Sequence, residues 1–163
     1  MDKKRILFVC MGNICRSPAA EAIMKKTIEK NNLSEKIEID SAGTIEYHSG
    51  ESADSRMIMH AKKRGYEVDS IARQFDMTKD FKQFDYIVTM DNENFEDIKS
   101  MDIMNKHENR IFRMVDFCGN CTIDEIPDPY YYSPSGFEEV LDMLEDATQG
   151  LLNRVIDDIK QQH

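Results

Sequence analysis

Apolar residues along the chain follow two periods, and the two periods alternate. Ile6-Leu7-Phe8-Val9 is an unbroken apolar run, the pattern of a short strand covered on both faces. Directly after it, Ala20, Ile23, Met24 and Ile28 recur at three- and four-residue steps, the stripe of an amphipathic helix. Continued along the chain, the pattern predicts strands over 5–10, 36–40, 85–89 and 110–115, and helices over 17–31, 53–64, 92–101 and 136–160. Ser17 suits a helix N-cap and Pro18 the first helical position. Lys62-Lys63-Arg64 followed by Gly65 gives the second helix a positive last turn and the glycine that often follows one. The last predicted helix carries Phe137, Val140, Leu141, Leu144, Leu151, Leu152, Val155 and Ile159 on its apolar side. This alternation implies an α/β fold: one domain over residues 1–163, built on a four-stranded parallel twisted sheet with helices on both faces.

The junction between the first strand and the first helix carries the most chemistry. It reads Cys10-Met11-Gly12-Asn13-Ile14-Cys15-Arg16-Ser17. A loop between a strand end and a helix start turns unpaired amides and the positive end of the helix dipole toward whatever it encloses. Gly12 and Asn13 tolerate the left-handed backbone that such a curl needs. Arg16 offers a planar fork that can hold two phosphate oxygens at once. A thiol in that setting is favoured as the reactive thiolate. An anion-binding loop built on a nucleophile points to phosphoryl transfer through a phosphocysteine. In open α/β sheets such a loop, at the carboxyl end of a strand, is where ligands bind.

Phosphoryl transfer to a thiol also needs a proton donor for the leaving group. Asp128 lies in Ile126-Pro127-Asp128-Pro129-Tyr130-Tyr131, where the prolines on either side hold it in a stiff, extended segment. Beside aromatic rings and a bound dianion such a carboxyl retains its proton more readily, as a general acid must. Taken alone, Cys10 is equally readable as a buried strand thiol and Asp128 as a turn residue. The surrounding residues favour the chemical reading of both.

These residues resemble the low-molecular-weight protein tyrosine phosphatases. The resemblance runs through Cys10 to Pro18 and continues in Asp40-Ser41-Ala42-Gly43-Thr44, Ala72-Arg73-Gln74, Phe84-Asp85-Tyr86-Ile87-Val88, Met90-Asp91 and Asp128-Pro129-Tyr130-Tyr131. It implies that Cys10 attacks phosphorus, and that the amides of Met11, Gly12, Asn13, Ile14, Cys15 and Arg16, with the Arg16 guanidinium, hold the phosphoryl oxygens. It makes Asp128 the acid and then the base, and Ser17 the hydrogen-bond donor to the Cys10 sulfur. Asn13 and Ser41 would brace the loop, and Tyr47, Tyr130 and Tyr131 would line the pocket mouth. Cys15 would be a redox partner able to form a reversible disulfide with Cys10; an inert thiol at the helix start is the other reading. The implied substrate is a tyrosine-phosphorylated protein or peptide, with small aryl phosphates also accepted, and neither metal nor cofactor is called for. One departure is Ser70, where the family often has a His that takes part in bracing the loop.

Cys118-Gly119-Asn120-Cys121 has no counterpart in the resemblance. Half a zinc site, a loop disulfide and two thiols without function are all open, and the last is the leading expectation. His48, His60, His107 and His163 show no ligand spacing and read as surface residues. The 163-residue chain has 31 acidic and 21 basic residues, a formal charge of −10, which excludes general binding to nucleic acid or anionic membranes. The apolar run after Lys3-Lys4-Arg5 is too short for a secretion signal, so a cytoplasmic protein is expected; the oligomeric state is not readable. Two related activities compete. Arsenate reduction would need further relay cysteines, and none lies between Cys15 and Cys118. Phosphoarginine phosphatases tend to carry Thr where this loop has Ile14, whose bulk and apolarity suit an aromatic ring. A non-catalytic phosphate-binding module would have no need of Cys10 or Asp128.

Overall fold

The computed structural model describes residues 3–129 and 134–162. Its element order is β1 (Lys4–Cys10), α1 (Arg16–Lys30), β2 (Ile37–Gly43), α2 (Ser55–Lys63), α3 (Asp80–Gln83), β3 (Tyr86–Thr89), α4 (Asn92–Met101), β4 (Ile111–Arg113) and α5 (Pro134–Gln161). The four strands form one sheet in the order β2-β1-β3-β4, and every pairing is parallel. β1 therefore runs between β2 and β3, where the direction of winding reverses. The carboxyl end of such a strand opens into the crevice used for ligands in open α/β sheets.

Alternation along β1 divides the core. Ile6, Phe8 and Cys10 join Tyr86 and Val88 on one face, packed with α1, α2 and α5. Leu7, Val9 and Ile87 face the other way, onto Phe81 and Phe84 at α3 and Ile98 on α4. Burial of β1 on both sides explains why its apolar run is unbroken.

Where the elements differ from the pattern, local packing explains it. β2 runs on to Gly43 because Ser41, Ala42 and Gly43 pair with Phe8, Val9 and Cys10. β4 stops at Arg113 and the chain tightens into a 3-10 turn over Met114–Phe117. That turn lies against α5 so closely that a Cβ at Gly150 would come 2.0 Å from the Phe117 carbonyl oxygen. α3 is only four residues long, too short to show a period. α1 begins at Arg16, with Cys15 rather than Ser17 in the capping position; the Ser17 hydroxyl is committed to the loop instead. Pro18 still falls among the first-turn residues whose amides have no intrahelical partner.

Two further expectations are corrected. Cys118 and Cys121 are joined in a disulfide, not left as separate thiols. His60 is buried, with Nδ1 2.5 Å from Glu138 Oε2 and its ring stacked on Phe137, while His107 stacks on Phe81. His163 lies outside the described residues. No helix of the described residues is long and apolar enough to cross a membrane.

Candidate active site

Cys10 ends β1 with 2% of its surface exposed, and the chain then leaves the sheet in a loop whose carbonyls are claimed from outside. Thr44 N donates to Cys10 O (2.9 Å), Ile45 N to Met11 O (3.1 Å) and Asp54 N to Ile14 O (2.8 Å). Among the described residues, no carbonyl or side chain accepts from the amides of Met11 to Arg16. Tying the carbonyls outward leaves these N–H groups to form an anion-binding concavity at the start of α1. The loop approaches β2 so closely that a Cβ on Gly43 would meet Met11 O at 2.8 Å. Asn13 takes the left-handed conformation at φ 56°, as its position in the curl led one to expect.

A short chain of hydrogen bonds reaches from Arg73 to the thiol. Arg73 N donates to Asn13 Oδ1 (3.0 Å), which fixes the amide so that Asn13 Nδ2 donates to Ser17 Oγ (2.8 Å). The Ser17 proton is then left for Cys10 Sγ, 3.0 Å away, where a donated hydrogen bond stabilises negative charge on sulfur. Arg73 is itself clamped, its guanidinium 3.0 Å from both Asp40 and Asp80. Burial works against its charge, but the two carboxylates outweigh burial and hold it above the ordinary arginine value. Ser41, expected to brace the loop together with Asn13, makes its side-chain hydrogen bond elsewhere. Ser41 Oγ donates to Glu21 Oε1 at 2.5 Å, and burial, with the nearby Asp40 and Asp69 charges, keeps Glu21 above the usual carboxylate range. Ser70 is half-buried, and bracing comes from the Arg73 main chain.

Arg16, the phosphate ligand that the resemblance implies, has its guanidinium at the cavity held by fixed partners. Its guanidinium is 2% exposed as a residue and donates from Nη1 to Asp91 Oδ2 (2.6 Å) and to Ile126 O (2.9 Å). Nη2 lies 3.7 Å from Asp128 Oδ2. Burial disfavours its charge, yet Cys10, Asp91 and Asp128 together hold it above its ordinary value. Asp91 also caps α4, accepting from Asn94 N at 2.7 Å. It belongs to the resembling Met90-Asp91 block, but nothing in its local sequence assigns it to Arg16, 75 residues away.

Cys10, Cys15, Arg16 and Asp128 share one cavity of about 340 Å³. Met11, Gly12 and Ile14 complete its floor, and Ile45, Tyr47 and His48 form its rim. Cys15 is buried, and burial, with the Asp54, Cys10 and Asp128 charges, pushes its thiol well above the ordinary value. Tyr47 is 81% exposed and meets the His48 ring edge-on. His48, read from the sequence as a surface residue, lines the cavity and holds Glu51 at 2.6 Å. Tyr130 and Tyr131 lie outside the described residues.

The family model of low molecular weight phosphotyrosine protein phosphatase matches residues 5–162. A protein tyrosine phosphatase from Entamoeba histolytica superposes with a TM-score of 0.92 at 49% identity, over 96% of this chain and 99% of that one. The low molecular weight protein-tyrosine-phosphatase of Streptomyces coelicolor is 37% identical over 158 residues, 96% of each chain. The Drosophila arginine phosphatase superposes with a TM-score of 0.85 at 30% identity, over 92% of this chain and 96% of that one. The chain whose thiol, guanidinium and carboxyl meet in this cavity belongs to the low molecular weight phosphotyrosine protein phosphatase family.

Proposed function

We propose that the protein hydrolyses phosphotyrosine in proteins or peptides, and small aryl phosphates, through a phosphocysteine. The observation that carries this reading is the placing of Cys10, Arg16 and Asp128 on one cavity above a loop of unengaged amides. In the first step Cys10 sulfur forms a bond to phosphorus as the bond to the tyrosine oxygen breaks. Asp128 passes its proton to that oxygen. In the second, Asp128 takes a proton from water as the water attacks phosphorus, and the phosphorus–sulfur bond breaks with Ser17 donating to the departing sulfur. Amides from Met11 to Arg16, with the Arg16 guanidinium, meet the equatorial oxygens where charge gathers in both transition states. One such donor is worth about 10²–10³ in rate.

Ile14, Ile45 and Tyr47 give the cavity apolar walls suited to an aromatic leaving group. That favours phosphotyrosine over phosphoarginine, whose guanidino nitrogens would meet no polar partner at Ile14. The reading extends to redox protection. If peroxide oxidises Cys10 to the sulfenic acid, the Cys15 thiol attacks that sulfur, a Cys10–Cys15 bond forms, and water leaves. Both cysteines are free and line the same cavity. A cytoplasmic setting agrees with the need to keep Cys10 reduced.

The deciding measurement is phosphate release from matched phosphotyrosine, phosphoserine and phosphoarginine peptides with chelator present. Turnover of phosphotyrosine in at least tenfold preference supports the reading. Preference for phosphoarginine, or loss of turnover on chelation, overturns it.

A further inference from the structure

Cys118 and Cys121 take no part in the chemistry above, and they sit against the middle of α5 rather than at the catalytic cavity. Cys118 Sγ is 3.8 Å from Met143 O, and Cys121 Sγ is 4.0 Å from Asp146 Oδ2. The loop between the cysteines aims Asp146 at them. Gly119 N donates to Asp146 Oδ1 (3.0 Å) and Asn120 N to Oδ2 (2.8 Å). The two sulfurs and a carboxylate oxygen lie within 4.8 Å of one another, a grouping of metal-ligand type found nowhere else among the described residues. Cys121 and Asp146 border a second cavity of about 600 Å³, whose wall also carries Glu139 and Asp142.

We propose that, once its disulfide is reduced, this cluster is a binding site for a thiophilic divalent cation of the zinc class, with Cys118, Cys121 and Asp146 as ligands. Two cysteines separated by two residues have the spacing that zinc sites use. Two thiolates and a carboxylate are donors that a borderline-soft ion accepts. Zinc–sulfur bonds of about 2.3 Å in a tetrahedron put the sulfurs ~3.8 Å apart, so binding requires the sulfur–sulfur bond to be broken first. The fourth position opens to water in the cavity, where the Glu139 carboxylate favours a cation; the Asp142 charge is already paired with Arg64 at 2.9 Å. The Gly119 and Asn120 amides serve as the outer contacts that orient the Asp146 ligand. What completes the half-site seen in the sequence is a residue 25 positions on, brought in by α5.

The redox step balances. A dithiol donor supplies two electrons and two protons, the Cys118–Cys121 bond breaks into two thiols, and the donor leaves as its own disulfide. The cation then displaces both thiol protons to solvent. In the oxidised form neither sulfur is a thiolate, so the site binds only when reduced.

The test uses the full chain as its Cys10→Ser variant, which removes the catalytic thiol, with a phosphine reductant and cobalt(II) as probe in the absence of oxygen. One equivalent of cobalt should bind with thiolate-to-metal absorption in the near ultraviolet and the strong visible bands of a tetrahedral site. Zinc should displace it. The bands should be absent without reductant and absent after Cys118→Ser and Cys121→Ser. Asp146→Asn, which keeps an oxygen for the loop amides, should fold with an unchanged circular dichroism spectrum and bind at least tenfold more weakly. No one-equivalent signal in the reduced protein, bands that survive the two serine substitutions, or unchanged affinity in Asp146→Asn would each overturn the assignment.

Discussion

Replacing Asp91 by Asn should slow the enzyme without unfolding α4, because Asp91 serves both Arg16 and that helix. It accepts from Arg16 Nη1 at 2.6 Å and caps α4 through Asn94 N at 2.7 Å. Asn is as good a cap as Asp, so Asp91→Asn removes the charge and keeps the cap. Its amide oxygen can still accept one bond from the guanidinium. The loss is then the difference between a charge-assisted and a neutral hydrogen bond, about 1–2 kcal/mol. At 1.36 kcal/mol per tenfold this is about 5- to 30-fold in kcat/KM. The loss should fall on kcat, since the guanidinium binds most tightly where charge builds on the transferring phosphoryl group.

Asp91→Ala separates the two duties. It should lose at least as much activity and, with the cap gone, about 1 kcal/mol more stability than Asp91→Asn. Steady-state kinetics on an aryl phosphate and thermal melts of both variants supply the comparison. A folded Asp91→Asn enzyme within twofold of wild-type kcat/KM would refute the claim that Asp91 aims Arg16. So would an activity loss in step with the stability loss across both variants.

Cys10→Ser should abolish turnover while phosphate binding, followed by protection against thermal unfolding, persists; residual turnover above about a thousandth of wild type would remove Cys10 as nucleophile. Asp128→Ala should slow hydrolysis most for esters with poor leaving groups, and an equal effect across a leaving-group series would remove it as the acid. Glu138 is held below the usual carboxylate range, first by its hydrogen bond from Arg64 and further by His60. Its stabilisation is therefore present above the unfolded value of about 4.3 and is lost as pH falls through the lower folded value. With its side chain 44% exposed, the contribution is under about 1 kcal/mol. Glu138→Gln should melt roughly 1–3 °C lower than wild type at pH 7, with the gap closing toward pH 3. A gap independent of pH would refute the linkage.

The parts legible in the sequence were those encoded by neighbours. β1, the loop and α1 are contiguous, and each of their signals concerns residues within a few positions: an apolar run, a Gly-Asn pair, a stripe. What was missed depends on approach across the fold. Arg16 meets Asp91 and Ile126 only because β1 and β3 are adjacent in the sheet. Ser41 reaches Glu21 because β2 lies beside α1, and a strand residue's face cannot be fixed until its register is known. His60 was misread for a similar reason: its partners Glu138 and Phe137 lie on α5, more than seventy residues on.

How a chain of formal charge −10 takes up a dianion follows from the way Arg16 is paired. Arg16 is the one cationic side chain lining the cavity among the described residues, and Asp91 already offsets its charge. With Asp128 nearby, the side chains alone supply no net attraction. The attraction must come from oriented dipoles, the amides of Met11 to Arg16 and the start of α1, whose partial charges are fixed by the outward-tied carbonyls. Asp91 then does not compete with substrate so much as hold a buried guanidinium whose other contacts are the Ile126 carbonyl and the more distant Asp128. It keeps the fork in place at the moment charge moves onto the phosphoryl oxygens, which is when a preformed donor contributes most. Dipoles of this kind work at short range, which explains how the site can tolerate an acidic surface that would repel a polyanion such as nucleic acid.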